Sequence, residues 1–267
     1  MSLKVDNKNT YFIPAKNKNS LNLYSVEDLF QNDFEIMVKV KVDWNNFPID
    51  DSVSGIVAKN GQHMGLFAFT NWVDEGTETN TGIQAHTVCE HILMAKIWTV
   101  ENGEAVMKDL TIKVGEALTN NSIMIMKTNV HHLHNKIPLD SRKFIARNPD
   151  YILETAGISE VEIYTLKLTH NLNDKKITFT CDDKIQEYNY TGKIRDYTDS
   201  ILWYGCGIGM GDEWNQHFYG EFLESYISVK GGYKIFESDF TQVTEFKSFD
   251  QSWNGNHLVK FDEANII

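Results

Sequence analysis

Asp33-Phe-Glu-Ile-Met-Val-Lys-Val-Lys-Val-Asp43 alternates between two kinds of position along its whole length. A period of two fits an extended strand and no helix, because successive side chains of a strand point to opposite faces. Phe34, Ile36, Val38, Val40 and Val42 share one face, and Glu35, Met37, Lys39, Lys41 and Asp43 share the other. Such a strand is half-buried, and a slip of one residue would bury its lysines. The alternation returns in Leu110-Thr-Ile-Lys-Val114 and in Ile177-Thr-Phe-Thr-Cys181. Turn signals part these stretches at Asn60-Gly61, Glu101-Asn-Gly-Glu104, Asn171-Leu-Asn-Asp174 and Gly231-Gly232. The chain therefore reads as all-β.

Two segments depart from the pattern. Ser25-Val-Glu-Asp28 has a spacing like a capping box and predicts one helical turn near residues 25–30. The stretch from Asp140 to Glu154 is interrupted by Pro149, which predicts one or two short helical turns laid over the sheets. With four prolines and no internal repeat, no linker is visible, and one domain spanning 1–267 is expected.

Near the C-terminal end stands Ile201-Leu-Trp-Tyr-Gly-Cys-Gly-Ile-Gly-Met-Gly211, followed by Phe218-Tyr-Gly-Glu-Phe-Leu-Glu-Ser-Tyr-Ile-Ser-Val-Lys230. Gly205, Gly207, Gly209 and Gly211 alternate, so one face of a strand here would be bare and open to close approach by a backbone or a ring. A phosphate cradle would need a following Lys-Ser/Thr and a helix pattern, and neither is present. This strand, the glycine cluster and F-x-G-E resemble the closing strands of laminin-G-like, concanavalin-A-type jelly rolls. Phe34 to Val42 resembles an early strand of that family, and Ile56 to Phe69 resembles the strand, turn and strand that follow it. Tyr164 to Lys184 is similar to a later hairpin, with Asp183 where the family has a turn glycine.

The resemblance covers about two-thirds of the chain. It implies a two-sheet antiparallel jelly-roll sandwich with an inserted loop and short-helix excursion at about 82–156, which the family pattern does not match, and a C-terminal strand extension at about 236–267. Phe249-Asp-Gln-Ser-Trp-Asn-Gly-Asn-His257 is similar to the y-D-S-S-G-N-G-N-H signature that commonly opens such a domain, although here it stands near the end. It is read as part of a terminal strand pair docked on the same sandwich.

A formal net charge of −12 argues against nucleic acid and against an anionic membrane surface. The opening Met1-Ser-Leu-Lys-Val-Asp6 holds no signal-peptide apolar run, and no segment approaches the roughly 18 apolar residues of a membrane span. The setting expected is a virion, such as a bacteriophage particle, or the extracellular space without a cleavable signal, with the cytoplasm also open. Cys89, Cys181 and Cys206 are widely separated and lack C-x-x-C spacing, as expected of free thiols.

Jelly-roll glycosidases of the superfamily carry carboxylates at alternate strand positions, which aims two of them into one groove as acid and nucleophile or base. Glu160 and Glu162 have that spacing, but the full E-x-D-x-x-E signature is missing, and a charged strand edge explains them as well. Glu221 and Glu224, three apart, are expected on opposite faces. His131-His-Leu-His134 lacks flanking carboxylate or cysteine ligands, and His86 and His91 around Cys89 are five apart, which parts them on a strand.

Recognition is instead expected in loops at one end of the sandwich. Asn71-Trp-Val-Asp-Glu75 and Gly211-Asp-Glu-Trp-Asn-Gln-His217 each join a tryptophan to acids and amides. An indole face stacks on the apolar side of a pyranose, and planar carboxylates and amides take its hydroxyls. The ligand-binding candidates are therefore Trp72, Asp74, Glu75, Asp212, Glu213, Trp214 and His217, with the tryptophans alternatively serving as partly buried loop anchors. Calcium, common in the family, would use the carboxylates of Asp74, Glu75 and Asp212. The expected function is a non-catalytic recognition or assembly module. Its partners would be a glycan, another virion or cell-surface protein, or a further copy of the chain. A glycoside hydrolase or polysaccharide lyase and a pure structural scaffold stand as alternatives.

Overall fold

The structure is a computed structural model that describes residues 2–5, 12–14, 29–44, 53–59, 64–79, 82–119, 123–126, 153–154, 161–195, 202–208, 215–244 and 247–260. For 59, 71–79, 82–89, 116–119, 123–126, 153–154, 161, 207–208, 215–217 and 230 it describes the backbone alone. In chain order the strands are β1 Leu3–Val5, β2 Phe12–Pro14, β3 Phe34–Asp43, β4 Ser54–Lys59, β5 Met64–Thr79, β6 Gly82–Glu101 and β7 Glu104–Thr119. They continue as β8 Ile123–Met126, β9 Leu153–Glu154, β10 Val161–Asn171, β11 Lys176–Cys181, β12 Lys184–Asn189, β13 Lys193–Ile194, β14 Leu202–Tyr204 and β15 Cys206–Ile208. The last are β16 Asn215–His217, β17 Gly220–Val229, β18 Tyr233–Ser238, β19 Lys247–Ser248 and β20 Leu258–Lys260.

The described residues form an all-β sandwich of two antiparallel layers. The smaller sheet runs β1-β17-β3-β10-β11-β12, with β18 also paired to β17. The larger runs β19-β20-β2-β14-β4-β5-β6-β7-β9, with β8 and β13 paired to β6. The even-numbered residues of β3 that the alternation assigns inward are buried there, and Val38, Val40 and Val42 are fully so. Between the layers, the ring centroids of Tyr204 lie 5.6 Å from Phe222 and 5.7 Å from Phe236. The Tyr204 hydroxyl meets Ser225 Oγ at 3.1 Å, and that hydroxyl donates to the Met37 carbonyl at 2.9 Å. A buried tyrosine needs such a partner, and this one ties the two layers together.

Four expectations are corrected. The glycine-rich stretch is not one strand: β14 stops at Gly205, which has φ +83° and cannot continue a ladder in extended form. A Cβ there would lie 2.9 Å from Val5 Cγ2 of the facing layer, so the close approach expected of the cluster is made by one side chain at this glycine. Gly209 and Gly211 lie outside the described residues. Glu221 and Glu224 are not on opposite faces. A register shift between Phe222 and Glu224 sets Glu221 against Lys41 and Glu224 against Lys39, both on the outer face, because the extra residue of a bulge resets the alternation.

Of the helical turns expected over Asp140–Glu154, only Leu153–Glu154 is among the described residues. Within 82–156 lie β6, β7, β8 and β9, and Leu153–Glu154 pairs with β7 instead of ending a helical turn. Asn71–Glu75 is likewise the middle of β5, where a continuous ladder to β6 replaces the expected loop. A 3-10 turn at Leu29–Gln31 follows the predicted helical turn, whose first residues are outside the described ones, as are residues 127–152. Among the described residues no helix is long and apolar enough to cross a membrane.

Candidate functional site

The strands that lead towards both tryptophan-bearing segments run to one end of the larger sheet. Strand β4 runs antiparallel to β5 on one side, with Ser54 opposite Ala68, and antiparallel to β14 on the other, with Val57 opposite Tyr204. Strands β5 and β14 therefore run the same way, towards the Ser54 end of β4. Beyond Ala68, β5 continues as a ribbon with β6 in which Trp72 pairs with Cys89, Asp74 with Thr87 and Glu75 with His86. On the other flank, Gly205 N–H donates to the Ile56 carbonyl at 2.9 Å, and β15 then pairs with β16 as a short hairpin. His217 lies in that hairpin opposite Cys206, while Asp212, Glu213 and Trp214 fall in the connection and outside the described residues. The side chains of Trp72, Asp74, Glu75 and His217 are not among those described, so calcium ligation by Asp74, Glu75 and Asp212 lies outside them too.

Between the layers, this end is closed by an aromatic plug. Trp44, directly after β3, stacks on His91 of β6 with ring centroids 4.4 Å apart and planes 4° from parallel. Its Nε1–H donates to the Tyr164 hydroxyl at 3.2 Å, and that hydroxyl donates to the Glu162 carboxylate. Glu162 and Tyr164 are alternate residues of β10 on the face that points between the sheets, and Glu162 sits opposite Val42. Trp44, His91 and Tyr164 are all buried. Burial pushes the His91 pKa down to about 4, and among the described residues its Nδ1 is buried without a hydrogen-bond partner. Burial also raises the Tyr164 hydroxyl well above the usual phenol range, reinforced by its bond to Glu162, so it stays a neutral donor.

Of the carboxylates considered for catalysis, Glu162 is thus at this end, whereas Glu160 lies outside the described residues. Glu221 joins an outer-face ladder, 3.6 Å from Lys41 Nζ and 2.7 Å from Ser2 Oγ. His131 and His134 are outside the described residues. The thiols of Cys181 and Cys206 are free and buried, and burial pushes both up to about 12, so neither is a nucleophile at neutral pH. Sequence reasoning missed the plug. Trp44 continues the inward phase of Phe34 to Val42, and Tyr164 shares the phase of Leu166 and Leu168, so the alternation marks both as inward without saying that they meet.

No protein-family model matches the chain, and no curated protein matches it in sequence. Solved structures that it resembles include a candidate carbohydrate-binding protein from Bacteroides ovatus, at 8% identity and a TM-score of 0.45. That match covers 97% of this chain, which spans 57% of the other protein's length. Another is the CBM40 of a Ruminococcus gnavus IT-sialidase bound to α2,6-sialyllactose, at 9% identity and a TM-score of 0.37, covering 83% of this chain and 93% of that one. A third is a heptameric SAP-like pentraxin from Limulus polyphemus, at 9% identity and a TM-score of 0.30, covering 84% and 77%. Likeness at this level identifies no ligand for this chain, and its two-layer architecture is read from its own ladders.

Proposed function

We propose that the chain is a non-catalytic glycan-recognition module that uses the end of the sandwich where the β5–β6 ribbon and the β15–β16 hairpin emerge. The observation that carries this is that β5 and β14, the strands that lead towards the two tryptophan-and-acid segments, run the same way on opposite flanks of β4. In this proposal Trp72 and Trp214 stack on sugar rings, while Asp74, Glu75, Asp212, Glu213 and His217 take hydroxyls. The plug beneath holds the two layers in fixed relation, which lowers the ordering cost of binding. A virus particle or another extracellular surface is the setting proposed for such a module.

A second reading, hydrolase or lyase, is favoured by the presence of Glu162 and Tyr164 at the same end. A glycan array combined with a reducing-sugar release assay separates the two. Retention without release, weakened at least tenfold in Trp72→Ala and Trp214→Ala, supports recognition. Release abolished by Glu162→Gln supports the enzyme, and silence in both assays leaves a scaffold.

A further inference from the structure

At the opposite end of the molecule, a tryptophan stands almost wholly in water. Tyr233 opens β18 opposite Val229, which in turn lies opposite Phe34, so this end is remote from Val42 and the plug. The loop from Phe249 to His257 packs against the free edge of β18 here. The Asp250 carboxylate accepts the N–H groups of Glu237 at 3.0 Å, Ser252 at 2.9 Å and Asn256 at 2.9 Å. Asn254 Nδ2 donates to the Lys234 carbonyl at 3.0 Å, and Asn256 Nδ2 to the Ile235 carbonyl at 2.6 Å. Asp250, Asn254 and Asn256 are all buried. The loop is held by short polar contacts on the strand side and is not a floppy connection.

On this frame Trp253 is 97% exposed and has φ +68°. The left-handed region is one that bulky residues avoid and glycine enters freely. The fold therefore holds a large side chain in a disfavoured conformation and gains no burial from it. Backbone strain that packing does not repay points to a use outside the fold.

We infer that Trp253 is a saccharide-stacking residue, forming a second glycan subsite at the end of the sandwich away from the first. This rests on the glycan-recognition reading above. The chemistry favours a neutral sugar over other occupants. One indole, with the half-exposed Tyr233 hydroxyl donating to Asn254 Oδ1 at 3.2 Å, is a small flat apolar face with a polar rim. A stable protein interface needs roughly 1,000 Å² or more of buried surface, several times what one exposed indole offers. A net charge of −12 works against nucleobases on a phosphate backbone and against anionic lipid. Subsites at both ends would let a polymeric glycan engage the protein twice, raising avidity without a new contact at either end.

The test is affinity electrophoresis through gels containing soluble β-glucan, xylan or galactomannan, with wild type, Trp253→Gly and Trp253→Phe. Glycine relieves the strain, so Trp253→Gly is expected to keep the fold and raise the Tm by about 2–3 °C. The inference predicts at least a threefold loss of retardation in Trp253→Gly and partial retention in Trp253→Phe. Wild-type retardation that Trp253→Gly leaves unchanged would overturn the subsite and leave the recognition reading standing. No retardation of wild type in any gel would overturn both. A lowered Tm in Trp253→Gly would show that the indole serves the fold, which also overturns the inference.

Discussion

His91 is the residue whose chemistry the fold constrains most. Stacked on Trp44 and buried, it is held neutral, with its pKa pushed down to about 4 from an ordinary value of 6.5. A histidine depressed in the fold leaves stability intact above pH 6.5, where both states are neutral. That stability is lost as the pH falls from 6.5 towards 4, because the unfolded chain takes up the proton first. Allowing for residual solvent screening, the loss from this one group is about 2 kcal/mol. His170 and His257 are also depressed, chiefly by burial, and add to the acid sensitivity in the same direction. The variant His91→Phe keeps a flat ring against Trp44 but cannot titrate. Urea denaturation at pH 7 and pH 4.5 should show a smaller acid loss in the variant than in wild type, and equal losses would remove His91 from the plug's acid response.

Among the elements, the break between β14 and β15 is the sharpest local constraint. Gly205→Ala puts a Cβ into a left-handed conformation and against Val5 of the facing layer, and should cost about 2–3 kcal/mol. Part of that cost is a contact, so Val5→Ala should recover about 1 kcal/mol of it in a double-mutant cycle read by denaturant unfolding. Strictly additive single effects would mean that the layers do not meet there. Gly220→Ala has no such rescue, because its Cβ would lie 2.1 Å from the Lys41 carbonyl oxygen, which is backbone.

The same elements show what the sequence could and could not convey. Strands β3, β7 and β11 were readable because each has one face in a common core, and burial writes a period of two into the residue types. The bulge at Leu223 was not, because a bulge changes phase without demanding a particular residue, and it is this phase change that brings Glu221 and Glu224 onto one face. The ribbon of Asn71–Thr79 resembled a loop because its residues run past the end of β4. Among the described residues they pair only with β6. A strand extending beyond its layer loses the one-sided burial that would otherwise mark it.

For the whole molecule, the two ends differ in kind. One carries the β5–β6 ribbon and the β15–β16 hairpin beside the Trp44–His91 plug, and the other carries a single raised indole on a loop that covers the edge of β18. Covering that edge with side-chain amides and a carboxylate also prevents strand addition from outside. The outer face of the smaller sheet, by contrast, is a ladder of lysines and glutamates, with Lys41 and Lys167 each 3.6 Å from a glutamate. Exposed pairs of this kind contribute little to stability, and Ile163 and Ile185 are exposed on the same face among them. In the proposal above, recognition belongs to the ends of the sandwich. Hydrogen–deuterium exchange with and without the glycan retained most strongly on an array tests this most directly. Slowed exchange is expected across residues 71–90 and 206–217, and exchange in both segments unchanged by a bound glycan would contradict recognition at this end.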